Sequence, residues 1–200
     1  MQITYDPSSL YPEFGACIYS YLRRLTQDTG LAEDLTQETF LRAIENLHTF
    51  RGEGEVSNWL YRIATNLFRD YLRTHKGKEQ LIWENGEGSE TGEDFLANVP
   101  DPSPALPQML ERQAAVQCVR DCIAALPAPY RATLLLYAVE GKTVEESAAI
   151  LGCSKEAIKV RLHRARDLFK SLVIELCEVT PERGGDVSCT PKELLKESPS

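Results

Sequence analysis

Residues 141–170, GKTVEESAAILGCSKEAIKVRLHRARDLFK, contain two short helical patterns separated by a Gly-Cys-Ser turn. Thr143 and Glu146 have the spacing of a capping box at the start of the first helix, and Gly152 supplies the backbone freedom that ends it. Ser154 is the expected N-cap of the second helix. Two capped helices around a turn glycine predict a helix-turn-helix.

The second helix of this motif is strongly basic, because residues 153–170 contain six Lys or Arg and two acids, a local charge of +4. Ile158, Leu162, Ala165 and Phe169 recur at three- and four-residue spacing and are expected to face inward. The side chains expected to project outward are Lys155, Glu156, Lys159, Val160, His163 and Arg164. Such a helix fits a major groove and its phosphates, so the pattern favours DNA binding over the alternative, an amphipathic helix with a solvated basic face.

The overall charge of the chain conceals a segregated pattern. The 200 residues carry a formal charge of −8, yet residues 79–111 contain eight acids and no Lys or Arg, so the rest of the chain balances to zero. Basic residues concentrate at 62–78 and in the helix-turn-helix. An acidic total therefore does not argue against a nucleic-acid partner.

Helical periodicity and composition divide the chain into four segments. Residues 8–76 carry amphipathic helical patterns, and residues 77–108 are acidic and rich in Gly and Pro, which predicts a flexible linker. Residues 109–176 form a second helical segment, and residues 177–200 a Cys-containing tail. We predict an all-α fold of two small helical domains joined by the flexible acidic linker, the second domain ending in the helix-turn-helix.

Three helices are expected in the N-terminal domain, over about residues 8–26, about 32–50, and after the glycine-containing break at 51–57. Ser57 is the expected N-cap of the third helix. The residues expected to face inward in the second helix are Leu35, Thr39, Phe40, Ala43, Ile44, Leu47 and Phe50.

The six cysteines include no CxxC pair and no Cys/His set with zinc-finger spacing, so no cofactor and no classical metal site are predicted. Cys118 and Cys122 share a helix face and are interpreted as small core residues rather than ligands. Cys177 and Cys189 flank a Gly-Gly pair that can turn a short hairpin, which makes them weak candidates for a metal or disulfide site. A disordered tail is the favoured alternative.

No apolar stretch approaches the roughly 20 residues that cross a bilayer, and the N-terminus lacks the pattern of a signal peptide. We therefore expect a cytoplasmic protein without membrane insertion. The sequence also has no Walker loop, dinucleotide-binding turn or catalytic-triad motif, so an enzyme is not predicted.

Two segments together resemble an extracytoplasmic-function (group IV) sigma factor of RNA polymerase. They are AEDLTQETFLRAIENLHTFRGEGEVSNWLYRIATNLFRDYLR at 32–73 and ALPAPYRATLLLYAVEGKTVEESAAILGCSKEAIKVRLHRAR at 125–166. The resemblance implies an initiation subunit without catalytic activity, whose first domain melts and recognises the minus-10 element and whose second recognises the minus-35 element. It implies contacts with the clamp helices of the largest polymerase subunit, with the flap of the second-largest subunit, and with promoter DNA. An anti-sigma factor is a further partner in many members of the family.

The resemblance also assigns roles to residues. Those expected to bind polymerase are Asp34, Gln37, Glu38, Leu41 and Glu45. Those expected at the minus-10 element are Gly52, Gly54, Ser57, Asn58, Tyr61, Arg62, Asn66, Arg69 and Arg73. Those expected at the minus-35 element are Lys155, Glu156, Lys159, Val160, Arg161, His163, Arg164 and Arg166. Trp59 is equally compatible with a core position and with DNA contact.

The main alternative is a stand-alone helix-turn-helix transcription regulator that binds an operator as a dimer. The N-terminal segment disfavours it, because residues 10–76 show neither a ligand-pocket pattern nor a heptad dimerisation seam.

Overall fold

Three helices near the N-terminus pack together: α1 (Pro7–Thr26), α2 (Thr29–Asn46), which continues into a 3-10 turn (Leu47–Thr49), and α3 (Val56–His75). The computed structural model of the chain describes residues 6–50, 55–75, 109–181 and 187–192. Aspartates begin the first two helices, since Asp6 accepts a hydrogen bond from the Ser8 amide at 2.9 Å and Asp28 from the Leu31 amide at 3.0 Å.

The core between these helices is mainly apolar and contains one hydrogen-bonded pair of side chains from different helices. The fully buried side chains include Leu10, Ile18, Leu22, Leu25 and Leu60. Tyr21 is also fully buried; its hydroxyl lies 2.9 Å from Thr65 Oγ1, and its ring packs edge-on against Tyr61 with centroids 5.1 Å apart. Burial raises the pKa of Tyr21 far above its ordinary value, so this hydroxyl stays protonated.

The second half of the chain is also helical. It contains α4 (Met109–Ala125), α5 (Ala128–Leu134), a π-helical turn (Leu135–Val139), α6 (Val144–Leu151) and α7 (Lys155–Leu176). These helices confirm the predicted all-helical architecture. None of the helices within the described ranges combines the length and apolar composition that crossing a bilayer requires.

A two-stranded hairpin follows α7, formed by β1 (Cys177–Pro181) and β2 (Val187–Pro191). The strands are antiparallel, with Cys177 opposite Pro191 and Val179 opposite Cys189. The favoured expectation of a disordered tail is therefore wrong for these strands. The expected hairpin is present, but Cys177 forms its disulfide with Cys118 rather than with Cys189. β2 lies against α4.

The chain forms two compact units. The first contains α1–α3 together with α5, α6 and the start of α7 as far as Leu162; the second contains α4, α7 from His163 onward, and the hairpin. The acidic segment predicted as a linker, residues 77–108, lies outside the described residues. The domain boundaries predicted from the sequence stay predictions.

Three local expectations need correction. Ser57 is not an N-cap, because α3 begins at Val56 and the Ser57 hydroxyl instead donates to Glu55 Oε2 at 3.1 Å. α2 ends at Asn46 rather than near residue 50. Ile44 does not face the core, since 48% of its surface is exposed. Ile44 still lies within α2, so its apolar spacing continues the helical period, but no neighbouring element in the described part of the chain covers it fully.

Candidate nucleic-acid interface

The helix-turn-helix has the capping chemistry that its sequence predicts. Thr143 Oγ1 accepts from the Glu146 amide at 3.2 Å, and Glu146 Oε2 accepts from the Thr143 amide at 2.8 Å, which completes a capping box. Gly152 ends α6 with φ at 65°, and Ser154 Oγ accepts from the Ala157 amide at 3.1 Å. The geometry that sets α7 against α6 is thus fixed by three short-range hydrogen bonds and by the left-handed conformation of Gly152, and these predictions are confirmed.

The outward side of α7 carries most of the residues predicted to contact the minus-35 element. Ile158, Leu162 and Ala165 are buried as expected. The exposed members of the predicted set are Lys155, Glu156, Lys159 and His163, and the half-buried members are Val160, Arg164 and Arg166. Exposed lysines one turn apart present a local cationic surface, so this face is chemically suited to phosphates and base edges.

Arg161 stands apart from the other predicted minus-35 residues. Only 3% of its surface is exposed, and its Nη1 lies 3.6 Å from Cys153 Sγ in the turn of the motif. This arginine supports the packing of the helix-turn-helix in this conformation, and its assignment to DNA contact remains a prediction.

A cavity of about 330 Å³ lies between α2 and α3, next to residues predicted to contact the minus-10 element. It is lined by Arg42, Asn46, Thr49, Trp59, Arg62, Ile63 and Asn66. Trp59 is half-buried, and its ring packs against Phe50 with centroids 5.5 Å apart. Trp59 therefore both packs and faces the cavity, so the two interpretations of this residue are compatible. An indole beside guanidinium and amide groups can stack an unpaired base and hydrogen-bond its edge.

The other predicted minus-10 residues are distributed unevenly. Arg62, Asn66 and Arg73 are exposed on α3, and Arg73 pairs with Asp70 at 3.2 Å. Gly52 and Gly54 lie outside the described residues.

Four further predicted minus-10 residues of α3 are hydrogen-bonded to residues 140–151, in and just before the helix-turn-helix. Asn58 Nδ2 donates to Glu146 Oε1 at 2.9 Å, and the Tyr61 hydroxyl donates to Glu140 Oε2 at 2.6 Å. Arg69 Nη1 donates to the Leu151 carbonyl at 3.4 Å. Ser57 Oγ also accepts from Lys142 Nζ at 3.1 Å. One side of α3 is therefore partnered within the chain.

Two carboxylates, those of Glu140 and Glu146, accept the side-chain hydrogen bonds from Tyr61 and Asn58 of α3. Glu140 receives both the Tyr61 hydroxyl and Arg24 Nη1, the latter at 3.2 Å. Burial, and then the adjacent Glu140, raise the pKa of Tyr61 far above its ordinary value. The side-chain hydrogen bond from Asn58, followed by the Thr143 amide, lowers the pKa of Glu146 below its usual 4.5. Glu146 therefore accepts its hydrogen bonds as a carboxylate near neutral pH.

The predicted polymerase-binding residues lie together on the outward side of α2. Asp34, Gln37 and Glu45 are exposed, and Glu38 pairs with Arg42 at 2.7 Å. Leu41 is 57% exposed, and Ile44, one turn along, is 48% exposed. The resulting surface is an apolar pair surrounded by acidic and amide groups, which we call the α2 face: Asp34, Gln37, Glu38, Leu41, Ile44 and Glu45.

Sequence reasoning missed several members of these surfaces. Ile44 was placed in the core, and Arg42 and Asn46 were assigned no role, although they follow Glu38 at four-residue steps along one side of α2. That spacing could have found both. Glu140 was missed because its partners are 116 and 79 residues away in sequence, and no local pattern indicates such a contact.

Comparisons with known proteins agree on one family. The Sigma-70 region 2 model matches residues 10–78, and the Sigma-70 region 4 model matches residues 116–168. The chain is 35% identical over 153 residues to the "Probable RNA polymerase sigma factor RfaY" of Xanthomonas campestris pv. campestris, covering 76% of this chain and 36% of that longer protein.

Two further matches cover more of the related protein. The chain is similar in fold to the sigma factor RpoE of Bartonella quintana, solved in complex with the anti-sigma factor NepR, with a TM-score of 0.60 and 24% identity over 84% of this chain and 96% of that one. It is 33% identical to the ECF RNA polymerase sigma factor SigM of Bacillus subtilis over 82% of this chain and 92% of that one. The chain belongs to the ECF RNA polymerase sigma factors.

Proposed function

We propose that this chain binds core RNA polymerase through the α2 face and directs it to promoters, with α3 recognising and opening the minus-10 element and α7 binding the minus-35 element. The observation that supports the proposal most is the cavity between α2 and α3, which is lined by Trp59 and Arg62 and lies near the exposed α2 face. A stand-alone regulator has no use for a base-sized cavity in its N-terminal bundle.

The α2 face is suited to a helical partner with basic residues. Exposed Leu41 and Ile44 supply apolar area at its centre, and Asp34 and Glu45 supply charges at its edge. An apolar centre with a charged rim is the usual arrangement of a specific protein interface. The clamp helices of the largest polymerase subunit are the proposed partner here, and the flap of the second-largest subunit is the proposed partner of the region 4 match, residues 116–168.

The cavity supports a melting role. Holding one base outside the duplex costs unstacking energy, which an aromatic platform and cationic groups compensate by stacking and by pairing with phosphates. Arg62 and Asn66 are exposed at its rim, where they can reach the backbone of the displaced strand. The first base of a melted minus-10 element is the proposed occupant.

If α3 is to bind promoter DNA through Asn58, Tyr61 and Arg69, the hydrogen bonds that these residues make within the chain must first break. Asn58, Tyr61 and Arg69 are assigned to DNA by family resemblance, yet each donates a hydrogen bond to the helix-turn-helix segment. We propose that polymerase binding separates α3 from α6, after which phosphates replace Glu140 and Glu146 as acceptors. The same donors then serve two successive partners.

An anti-sigma factor is a proposed further partner, because a protein that covers exposed Leu41 and Ile44 would compete directly with polymerase. Action on bacterial polymerase also implies a cytoplasmic location.

The direct test combines two measurements on the purified chain. Association with bacterial core polymerase is measured first, and run-off transcription from a pool of genomic promoter fragments second. Stable association with new, specific start sites supports the proposal. Sequence-specific DNA binding without polymerase association would favour the stand-alone regulator and contradict the assignment of α2.

A paired variant tests the second DNA surface. Lys159→Ala should weaken holoenzyme binding to promoters and reduce the salt dependence of binding by about one released counterion. Lys170→Ala, an equally exposed lysine on the same helix, is the charge-matched control. Equal effects of the two substitutions would show general electrostatic attraction rather than recognition by α7.

A further inference from the structure

Three cysteines from two elements of the second unit converge on one buried point. Cys118 and Cys122 lie one turn apart on α4, and Cys177 begins β1; their relative exposures are 2%, 0% and 3%. The three sulfur atoms all lie within 4.8 Å of one another. Promoter recognition as proposed above makes no use of this cluster.

The spacing of the sulfurs fits a tetrahedral metal. Thiolates around Zn²⁺ lie at about 2.3 Å from the ion, which places any two of them about 3.8 Å apart. Since the three sulfurs lie within 4.8 Å of one another, reduction of the Cys118–Cys177 disulfide and small side-chain rotations can bring them to this spacing. A disulfide joins Cys118 to Cys177, whose Cα atoms are 6.7 Å apart. Cys122 Sγ lies beside this pair, so reduction of the disulfide would leave three thiols at one buried point.

The surroundings of the cluster match those of a structural metal centre. Phe169, Leu172 and Val173 of α7 pack against the three cysteines and shield them from water. An apolar shell strengthens metal–thiolate bonding and slows exchange with solvent. Uncompensated thiolates are costly in such an environment, so a cation is the natural partner of several deprotonated sulfurs there.

The second strand of the hairpin, β2, contains a fourth cysteine of this unit, Cys189. Cys189 is opposite Val179, two residues along β1 from Cys177, and β2 is the strand that lies against α4. The register therefore places Cys189 in the strand that lies against α4, the helix that carries Cys118 and Cys122. Structural zinc sites are almost always four-coordinate and are commonly formed by four cysteines.

We propose that Cys118, Cys122 and Cys177, with Cys189 as the fourth ligand, bind one thiophilic divalent cation of the Zn²⁺ class and thereby fasten the C-terminal hairpin to α4. A thiol reductant first converts the Cys118–Cys177 disulfide to two thiols and is itself oxidised to a disulfide. The cation then displaces the thiol protons into solvent, and no electron is transferred in this step. Binding weakens as pH falls, because protons compete for the same sulfurs.

The test uses the full chain, reduced and stripped with a chelator under anaerobic conditions. Zn²⁺ is titrated against a chromophoric chelator, and Co²⁺ is bound as a spectroscopic probe. We expect one ion per chain and the intense thiolate-to-cobalt charge-transfer absorption of a sulfur-rich tetrahedral site. Affinity should fall at least about 100-fold in Cys122→Ser, while Cys17→Ser and Cys153→Ser, whose cysteines lie outside the cluster, should match the parent.

A measurement without substitutions guards against loss of folding in the variants. Cysteine alkylation of the parent chain, read by mass spectrometry with and without Zn²⁺, should show metal-dependent protection of Cys118, Cys122, Cys177 and Cys189 but not of Cys17. If the reduced chain binds no stoichiometric Zn²⁺, or if protection is the same with and without metal, the metal site is refuted and the cluster is a disulfide with a neighbouring thiol. None of these readouts uses polymerase or DNA, so the outcome is independent of the proposed promoter function.

Discussion

The α2 face and the side of α3 that carries Asn58 and Tyr61 belong to the same helical bundle. They differ in whether their predicted binding residues are exposed or already hydrogen-bonded within the chain. On α2, Leu41 and Ile44 are about half exposed and the surrounding acids face water. On α3, Asn58 and Tyr61 already donate to carboxylates from the helix-turn-helix segment. The surface assigned to the protein partner is open, whereas part of the surface assigned to DNA is covered by the chain itself.

The difference follows from the chemistry of the two partners. Hydrogen-bond donors that suit phosphate oxygens also suit carboxylates, so Glu140 and Glu146 can occupy the donors that DNA would use. No comparable substitute covers the apolar pair of α2 within the described residues, because Leu41 and Ile44 remain exposed. The comparison therefore predicts an order of events in which polymerase binds first and DNA second.

The largest expected effect is on the open surface. Leu41→Asp combined with Ile44→Asp places charges at the centre of the α2 face and should weaken core polymerase binding at least about 30-fold, or about 2 kcal/mol, as removal of an interface hot spot does. Folding should be preserved because both side chains are already exposed. Binding is measured by competition for core enzyme with a labelled parent chain.

The matched control for this pair is Ile174→Asp, an apolar residue of α7 that is 61% exposed. An equal loss of polymerase affinity in the control would mean that added charge, rather than the α2 face, causes the effect.

The next effect concerns the exposed part of α3. Arg62→Ala removes a cation from the rim of the cavity and should reduce promoter opening about tenfold while leaving core polymerase binding unchanged. Opening is followed by the reactivity of unpaired thymines in the minus-10 region. Arg23→Ala, an exposed arginine of α1, is the charge-matched control. Parallel losses of opening and of core binding would show that Arg62 belongs to the polymerase surface instead.

The two surfaces also differ in how far sequence could predict them. The capping box at Thr143 and the turn at Gly152 depend on residues within a few positions, so their pattern was sufficient. Ile44 was misplaced because apolar spacing along α2 shows which residues share a side of the helix but not whether another helix covers that side at each position. The convergence of Cys118 with Cys177 depends on chain segments 59 residues apart, which no local pattern encodes.

A third substitution tests the covered side of α3 directly. Glu140→Gln removes the charge that accepts from Tyr61 and Arg24, so the contact between α3 and the helix-turn-helix segment should weaken by roughly 1 kcal/mol. The free chain should then bind single-stranded minus-10 DNA about fivefold more tightly. Fluorescence anisotropy of the isolated protein measures this change.

Removing any acid makes a chain more attractive to DNA, so Glu13→Gln, an exposed residue of α1, provides the control. If both variants gain affinity equally, Glu140 does not cover the DNA surface, and the contrast between α2 and α3 loses its functional meaning.

The smallest effect is a pH dependence at Glu146, which joins the capping box of α6 to Asn58 of α3. Its pKa is lowered in the folded chain, so its stabilising contribution is complete above the ordinary value of 4.5 and is lost as pH falls through the lowered value. Glu146→Gln should therefore be less stable than the parent by less than about 1 kcal/mol at about pH 6, since solvent screens the carboxylate, and this difference should be smaller at about pH 3, below the ordinary pKa of 4.5. Urea unfolding at the two pH values measures the difference, with Glu13→Gln as the control. A stability gap that persists unchanged in acid would show that the size and hydrogen bonding of the side chain matter here, rather than its charge. The hydrogen bond from Asn58 to Glu146 would then not depend on the negative charge of Glu146, and it would not support the idea that acidic side chains of the chain occupy the donors that bind DNA phosphates.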